Sequence, residues 1–412
     1  MTHDNETLSP AARRIIIVAA LGYFVDIFDL VLFAVVRTTS LRELGFSGDE
    51  LTSQGVYLLN AQMLGLLAGG VIWGILGDKR GRLSVLFGSI FLYSFANVAN
   101  AFVHDVHSYA ALRFIGGVGL AGELGGGVTL VLEMMPRKNR GLGAALIAGF
   151  GLLGAVAAAI AGELMPWREA YILGGVMGFA LLALRIGVRE SELFTKAKDS
   201  SVVRGDFTAL FRTKERAVKF ISGIVVGMPT WFTMGVLGVF SPELGRVLGV
   251  QGEVKSGTFI MVFYLGAALG DLASGLLSQR LKSRRKAIFV FTLMLGAANV
   301  LYFCQSGASL FQFYAVCSLM GFCAGYWVLL VVNAGEQFGT NLRATTTTAT
   351  PNFIRGSVVP MTLLFEVLRP ELGLIYAAAG VGVVVYTLAL LALRYLPETF
   401  AKDLNYVEHD PR

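Results

Sequence analysis

Long apolar stretches, separated by short polar segments, recur along the whole chain. A helix needs about 20 mainly apolar residues to cross a hydrocarbon core about 30 Å thick, and these stretches reach that length. The pattern therefore predicts an all-α polytopic membrane protein with twelve transmembrane helices. The predicted spans cover residues 13–37, 55–78, 84–103, 107–133, 141–164, 167–187, 217–241, 257–279, 286–305, 308–335, 344–369 and 372–396.

Basic residues concentrate in alternate loops between these spans, which orients the chain in the membrane. Cytoplasmic loops carry the excess of Lys and Arg, and twelve spans place both termini on one side. We therefore expect both termini to be cytoplasmic, in the inner membrane of a cell, and the polar start of the chain predicts no removable signal peptide. The rich loops hold Arg13, Arg14, Lys79, Arg80, Arg82, Arg137, Lys138, Arg140, Lys214, Arg216, Lys219, Arg280, Lys282, Arg284, Arg285 and Lys286. The opposite loops hold mainly Arg42, Arg168, Arg246, Lys255 and Arg369.

A long polar segment near the middle of the chain divides the spans into two sets of six. An internal repeat supports this division: the segment 133–141 has a weaker counterpart at 336–344, about 203 residues later, and 74–82 is echoed by 275–285. Parallel repeats of this kind are a transporter architecture. We predict an N-terminal six-helix bundle over residues 1–190, a cytoplasmic linker over 191–216, and a C-terminal six-helix bundle with a cytoplasmic tail over 217–412.

Composition agrees with a membrane protein and narrows the function classes. The chain has 412 residues, of which 55% are apolar and 15% charged, and its mean hydropathy is +0.66. The net charge of +6 is spread over short loops, so no nucleic-acid partner is expected. The chain has neither a phosphate-binding glycine loop nor a His-Cys metal pattern, which predicts no cofactor, no metal and no enzymatic activity. The three cysteines, Cys304, Cys317 and Cys323, lie in apolar segments and are expected to pack there.

Two carboxylates in span one are the best candidates for proton coupling. Asp26 and Asp29 are three residues apart, on adjoining positions of one helical face, about midway across the bilayer. An acid at this depth is costly beside lipid and is usually functional beside a cavity, and removal from water favours its protonated form. The alternative is a structural role in which these acids form hydrogen bonds between helices.

Further charged residues lie within spans four and eleven. Arg113 and Glu123 are about 15 Å apart along span four, and both could face a central cavity. Arg113 and Arg355 are candidates for binding an anionic substrate, and Glu123 is a third candidate for proton coupling. Internal ion pairs are the alternative for each, with Asp271 as a possible partner of Arg355.

Several uncharged polar and aromatic residues at membrane depth are candidates for lining a cavity. Asn60 and Gln62 in span two, Trp231 in span seven and Tyr326 in span ten are taken as substrate-binding candidates. Aromatic residues at this depth more often serve packing.

Four segments resemble the major facilitator superfamily, and in particular its sugar-porter and metabolite:proton-symporter branches. The segment 74–82, Gly-Ile-Leu-Gly-Asp-Lys-Arg-Gly-Arg, is similar to the superfamily's loop between helices two and three, with Lys79 where that pattern usually has Arg. The others are 113–126, 133–141 and 397–400. The resemblance implies two six-helix halves, and Asp29 matches the acidic position that the symporter branch carries in its first span.

The same resemblance implies a set of gating residues on the cytoplasmic side. Asp78 and Arg82 would make contacts that break and re-form between conformations, whereas the alternative is a solvated loop. Glu133 with Arg140, and Glu336 with Arg343, would be salt-bridge partners that close the inner side.

The function predicted from these features is secondary transport by alternating access, with a small polar or charged metabolite as the substrate and proton symport as the driving process. The expected partners are the small-molecule substrate, protons and the lipid bilayer, and the protein is expected to act as a monomer. Two alternatives stay open: proton-antiport export of an amphipathic compound, and a non-transporting receptor with the same fold.

Overall fold

The computed structural model describes residues 10–80, 82–134, 140–185, 207–400 and 402. Side chains are described for these ranges except at 10–16, 19, 78, 82–83, 124–134, 140–149, 340–341 and 343–344. The regular structure in the described ranges is helical. The helices are α1 (Pro10–Glu43), α2 (Gly48–Arg80), α3 (Arg82–Asn100), α4 (Val106–Met134), α5 (Arg140–Leu164), α6 (Trp167–Arg185), α7 (Lys214–Phe232), α8 (Ser241–Val247), α9 (Ser256–Leu281), α10 (Arg284–Phe303), α11 (Leu310–Ala324), α12 (Trp327–Gln337), α13 (Thr340–Gly356) and α14 (Val358–Ala392).

The predicted spans correspond to these helices, and the all-α fold is confirmed. In the first half, α1 to α6 match the six predicted spans one to one, although α1 and α2 extend several residues beyond them. By length and hydropathy alone, seven segments of the described chain qualify as membrane-crossing helices, and one of these, Thr345–Ala392, is long enough for two passes. Gly373 divides those two passes with a positive φ of 73°, which a glycine adopts without strain.

Three predicted spans of the second half are irregular helices. Span seven contains Pro229 and continues from α7 into a π-helix, Thr233–Gly238. Span ten is divided at Gly325 into α11 and α12, and span eleven is divided at Ser357 into α13 and the first part of α14. Such irregular backbone within a membrane is found where it borders protein or a cavity rather than lipid.

Glycine pairs let the central helices of each half cross at close range. In the first half, a Cβ atom at Gly65 would lie 2.1 Å from the carbonyl oxygen of Phe114, and one at Gly117 would lie 2.2 Å from that of Gln62. The second half repeats this crossing between α9 and α11, where Gly266 and Gly321 stand 201 and 204 residues later. Small residues allow this backbone approach, and the repeated offset supports two pseudo-equivalent bundles.

Large apolar side chains cover the outside of the helices. Examples are Leu164, Phe311 and Tyr376, which are 78%, 83% and 73% exposed. Exposed apolar surface of this extent is a liability in water and the expected surface in lipid. The chain is therefore an integral membrane protein, in agreement with the prediction.

Candidate substrate cavity and coupling site

A cavity lies between the two halves of the molecule, at the level of the broken helices. It receives side chains from α1 and α5 of the first half and from α7, α9, α11, α12 and α13 of the second. Its polar and aromatic lining consists of Tyr23, Thr230, Trp231, Phe263, Tyr264, Asp271, Trp327 and Arg355. A wall that is mostly apolar with a few convergent polar groups is typical of a small-molecule site.

Arg355 supplies the cation of this cavity. Its side chain is 1% exposed, its guanidinium carbon lies 5.7 Å from the ring centroid of Trp231, and its Nη1 donates to Asn352 Oδ1 at 3.5 Å. Its Nε has no hydrogen-bond partner in the described chain. Asn352 also donates to the Ala121 carbonyl oxygen at 2.9 Å. This hydrogen bond connects the helical turn that carries Arg355 to the opposite half. The alternative considered from the sequence, an ion pair with Asp271, does not form between these two described side chains.

Asp26 and Asp29 lie in the middle of α1, where they are 0% and 1% exposed. Within the described ranges none of their four carboxylate oxygens accepts a hydrogen bond of ordinary geometry, and the side chain of Asn97 is a neighbouring donor to Asp29. The two acids interact electrostatically with different cations, Asp26 with Arg355 and Asp29 with Arg113. The first of these interactions crosses between the halves, whereas the second stays within the first bundle.

Arg113 is enclosed by aromatic rings and does not line the cavity. Its guanidinium carbon lies 5.3 Å from the ring centroid of Phe33 and 5.6 Å from that of Tyr171. Neighbouring Gly174 makes room for Asp29, since a Cβ atom there would lie 2.4 Å from Asp29 Oδ1. This position favours a role for Arg113 as the partner of Asp29 over the predicted contact with substrate.

Glu123 has a cation of its own half as a partner. Arg185, at the end of α6, donates from Nη1 to Glu123 Oε2 at 3.1 Å and from Nη2 to Oε1. This is the bidentate geometry in which a guanidinium and a carboxylate pair most strongly. The pair packs against Gly22 of α1, where a Cβ atom would lie 2.4 Å from both side chains. The sequence did not reveal Arg185, since a basic residue at the end of a span is ordinarily a loop cation.

Of the four uncharged candidates, one lines the cavity and three form hydrogen bonds between helices. Trp231 lines the cavity. Asn60 accepts from Thr362 Oγ1 at 2.6 Å, Gln62 donates to the Leu30 carbonyl oxygen at 3.1 Å, and Tyr326 donates to the Val226 carbonyl oxygen at 3.4 Å. The last three hold helices together in this conformation, and they are not part of the cavity lining.

Most predicted gating side chains lie outside the part of the chain whose side chains are described, namely Asp78, Arg82, Glu133, Arg140 and Arg343. Glu336 is described, and it forms an ion pair with Arg284 at 3.2 Å and accepts from Thr399 Oγ1 at 2.6 Å. The sequence predicted Arg343 as its partner and did not reveal Arg284.

The segment after α14 is fixed to the start of α10 by one carboxylate. Glu398 accepts from the Ser283 hydroxyl and from the backbone N–H of Arg284 and Phe400. Partial burial acts to raise the pKa of Glu398, but the hydrogen bonds from Ser283 and these backbone groups outweigh it and hold the pKa below its ordinary value. The tail is therefore held by a charged carboxylate at neutral pH.

A buried ion pair joins the two halves at the end of the bundle where α1 ends and α2 begins, called here the α1–α2 end. Arg37 is 0% exposed; its Nη2 donates to both Glu243 oxygens, at 2.7 and 2.8 Å, and to the Val239 carbonyl oxygen at 3.1 Å. Its guanidinium carbon lies 4.7 Å from the ring centroid of Phe240. The sequence did not reveal this pair, because each residue stands at the end of a span and they are 206 positions apart.

Other contacts between the halves lie at the same end. Ser256 Oγ donates to the Ala34 carbonyl oxygen at 2.8 Å, and Lys255 forms an ion pair with Glu163 at 3.1 Å. Ser53 donates to Glu366 at 3.2 Å. The halves are therefore joined at the α1–α2 end in this conformation.

Comparison with known proteins places this architecture in a family. The sequence profile described as the Major Facilitator Superfamily matches residues 19–362. The niacin transporter NiaP of Acinetobacter baylyi is 26% identical over 79% of this chain and 80% of its own length. The benzoate transport protein of the same organism is 23% identical over 83% and 80%. The proton:xylose symporter XylE bound to 6-bromo-6-deoxy-D-glucose has the same fold, with a TM-score of 0.71, 15% identity, and coverage of 97% of this chain and 98% of XylE. The chain therefore belongs to the Major Facilitator Superfamily, and it is a transporter.

Proposed function

We propose that this protein is a proton symporter that takes up a small organic acid by alternating access. The observation that carries the proposal is the position of Arg355, a buried guanidinium in the wall of the cavity between the halves. No ion pair joins it to an acid in the described chain, and its Nε lacks a hydrogen-bond partner. A guanidinium in such a place costs free energy unless an anion binds there in part of the transport cycle.

The lining of the cavity favours a flat acid over a sugar. Trp231 and Trp327 form an aromatic wall, with ring centroids 6.3 Å apart, and Tyr264 lines the same cavity. Indole rings suit the faces of an aromatic ring. The names of two relatives, a niacin transporter and a benzoate transport protein, refer to aromatic acids.

Proton coupling is assigned to the acids of α1, with Asp29 as the principal carrier and Asp26 as the second. Asp29 faces the charge of Arg113, so its proton affinity depends on whether that charge is compensated. Asp26 faces Arg355, so an anion bound at Arg355 would change the field at Asp26 directly. Substrate binding and protonation are then thermodynamically linked.

The remaining features of the proposal concern the membrane and the gates. Both termini are cytoplasmic in the inner membrane, so the α1–α2 end faces outward and the Arg37 to Glu243 pair closes the outer side. Asp78, Arg82, Glu133, Arg140, Glu336 and Arg343 are proposed to act at the inner side. The protein works as a monomer.

Uptake by purified protein in proteoliposomes tests the proposal. We expect radiolabelled niacin or benzoate to accumulate when the outside is acidic, whereas xylose should not. An antiporter would respond to the opposite gradient, and a receptor would move nothing. Arg355→Met should reduce acid uptake by at least about tenfold, the loss typical of an unpaired charged contact, while Arg246→Met, which changes an exposed arginine, should have little effect. Equal uptake by Arg355→Met and the unchanged protein would contradict the proposal.

A further inference from the structure

The cavity contains an acid as well as a cation, and the two are not paired with each other. Asp271 of α9 and Arg355 of α13 both line it, yet no ion pair joins these two described side chains. Opposite charges that share a cavity without neutralising each other present two poles to whatever enters. A ligand that carries complementary poles would satisfy both of them at once.

Asp271 is held in place by the break between α11 and α12. Gly325 at that break packs against the backbone of α9, because a Cβ atom there would lie 2.3 Å from the Gly270 carbonyl carbon and 2.4 Å from the Asp271 nitrogen. The backbone N–H of Val328, in the first turn of α12, donates to Asp271 Oδ1 at 3.4 Å. The positive end of a helix stabilises a nearby carboxylate.

The second oxygen of Asp271 is available to a ligand. The contact with Val328 is at Oδ1, and the described chain provides no hydrogen bond to Oδ2. The side chain is partly exposed, and it lines the cavity. A carboxylate can only accept hydrogen bonds, so the group that it meets must be a donor or a cation.

We propose that Asp271 is a specificity-determining residue, and that the cavity selects bipolar organic acids. The carboxylate of the substrate would meet Arg355, its ring would meet the wall formed by Trp231 and Trp327, and a hydroxyl or ammonium group elsewhere on the ring would donate to Asp271. This inference rests on the proposed function, because it takes Arg355 as the site of the substrate carboxylate.

Three benzoates that differ only in the substituent at one ring position test the inference by competition. They are 3-methylbenzoate, 3-hydroxybenzoate and 3-(aminomethyl)benzoate, each competing with radiolabelled acid in an exchange assay on proteoliposomes. The two compounds with a donor should compete at concentrations at least about tenfold lower than 3-methylbenzoate, because a site built to bind a donor rejects an analogue without one. This comparison uses the unchanged protein and needs no variant.

The variant Asp271→Asn tests whether Asp271 causes the stronger competition by the two compounds with a donor. The amide keeps an acceptor oxygen but loses the charge, so the hydroxyl compound should keep most of its advantage while the advantage of the ammonium compound falls below about threefold. Asp49→Asn, the same change at an exposed residue at the start of α2, should alter neither ratio.

Three other outcomes would contradict the selectivity of the cavity, the role of Asp271 or the proposed function. Equal competition by all three compounds in the unchanged protein would overturn the inference and leave transport of acids in place. An ammonium advantage that survives Asp271→Asn would overturn the role of Asp271. If no benzoate competes and Arg355→Met has no effect on uptake, the proposed function fails, and the inference fails with it.

Discussion

Glu123 shows how the meaning of a single charged residue depends on its partner. The sequence makes it a candidate for proton coupling because it lies within span four, but Arg185 binds both of its oxygens in the structure. Both oxygens of this carboxylate are therefore occupied by a cation of the same half. The pair therefore favours a structural role for Glu123, and it leaves the acids of α1 as the stronger candidates for carrying a proton.

Removing one member of this pair should destabilise the protein more than removing both. Glu123→Gln leaves Arg185 buried without its counter-charge, which typically costs about 3–5 kcal/mol. Replacing both residues, as in Glu123→Gln with Arg185→Met, should recover most of the loss. Thermal unfolding of the purified protein in detergent measures this, with the exposed Glu163→Gln as control. A Glu123→Gln protein of unchanged stability that can no longer accumulate substrate would instead support a proton-carrying role.

At the residue scale, the sequence predicted which charged residues lie inside the membrane. It did not predict which residues form ion pairs with them. The apolar pattern places Asp26, Asp29 and Arg355 inside spans, and all three are buried. The partners Arg185 and Glu243 stand at span ends, where the pattern gives no reason to expect burial. Each is separated from its partner by 62 or 206 positions, and a helical period does not indicate which face of a distant helix will meet it.

At the scale of helices, three broken elements contribute aromatic and charged side chains to the cavity. Span seven supplies Trp231 just before its π-helix, span ten supplies Trp327 just after its break, and span eleven supplies Arg355 just before Ser357. The sequence predicted each as one continuous span. Pro229 and Gly325 were visible signals of irregularity, but proline and glycine are also common in regular transmembrane helices.

The ion pair of Arg37 in α1 with Glu243 in α8 should hold the α1–α2 end closed. Arg37→Gln removes the charge that holds Glu243, so it should shift the protein toward a conformation open at that end. In intact cells that express a cysteine-free background, a cysteine in place of Ile27, which lines the cavity, should then react faster with a membrane-impermeant reagent.

Two controls accompany this measurement. Lys255→Gln breaks an exposed pair at the same end and should have a smaller effect, since exposed pairs contribute under about 1 kcal/mol. Exchange of the two residues, Arg37→Glu with Glu243→Arg, should restore part of the slow labelling. Labelling of Ile27→Cys that does not change in Arg37→Gln would exclude this role of the ion pair.

At the scale of the whole molecule, the sequence was sufficient to predict the fold. The twelve apolar spans, the repeat offset of about 203 residues and the resemblance of 74–82 to a superfamily loop all agree with the two bundles. This success has a physical cause, because a bilayer requires each span to satisfy its own backbone hydrogen bonds. The bilayer does not determine how the two halves meet, and the sequence did not predict those contacts.

Orientation in the membrane is predicted from the distribution of basic residues. Single cysteines placed near His104 or Arg168 should react with an impermeant reagent added to intact cells. Cysteines near Arg82, Arg140 or Arg204 should react only after the membrane is permeabilised. External labelling near Arg82 would reverse the orientation and move the Arg37 to Glu243 pair to the inner side.

We propose that Asp29 carries the proton that drives uptake of an acid bound at Arg355. The most direct test compares two assays on Asp29→Asn in proteoliposomes: accumulation driven by a pH gradient, and exchange of labelled for unlabelled substrate without a gradient. Asparagine imitates the protonated form permanently, so accumulation should be lost while exchange, which needs no net proton movement, should be retained. Asp26→Asn should show the smaller loss of accumulation. If Asp29→Asn still concentrates substrate against its gradient when driven by pH, the proton is carried elsewhere and the account is wrong.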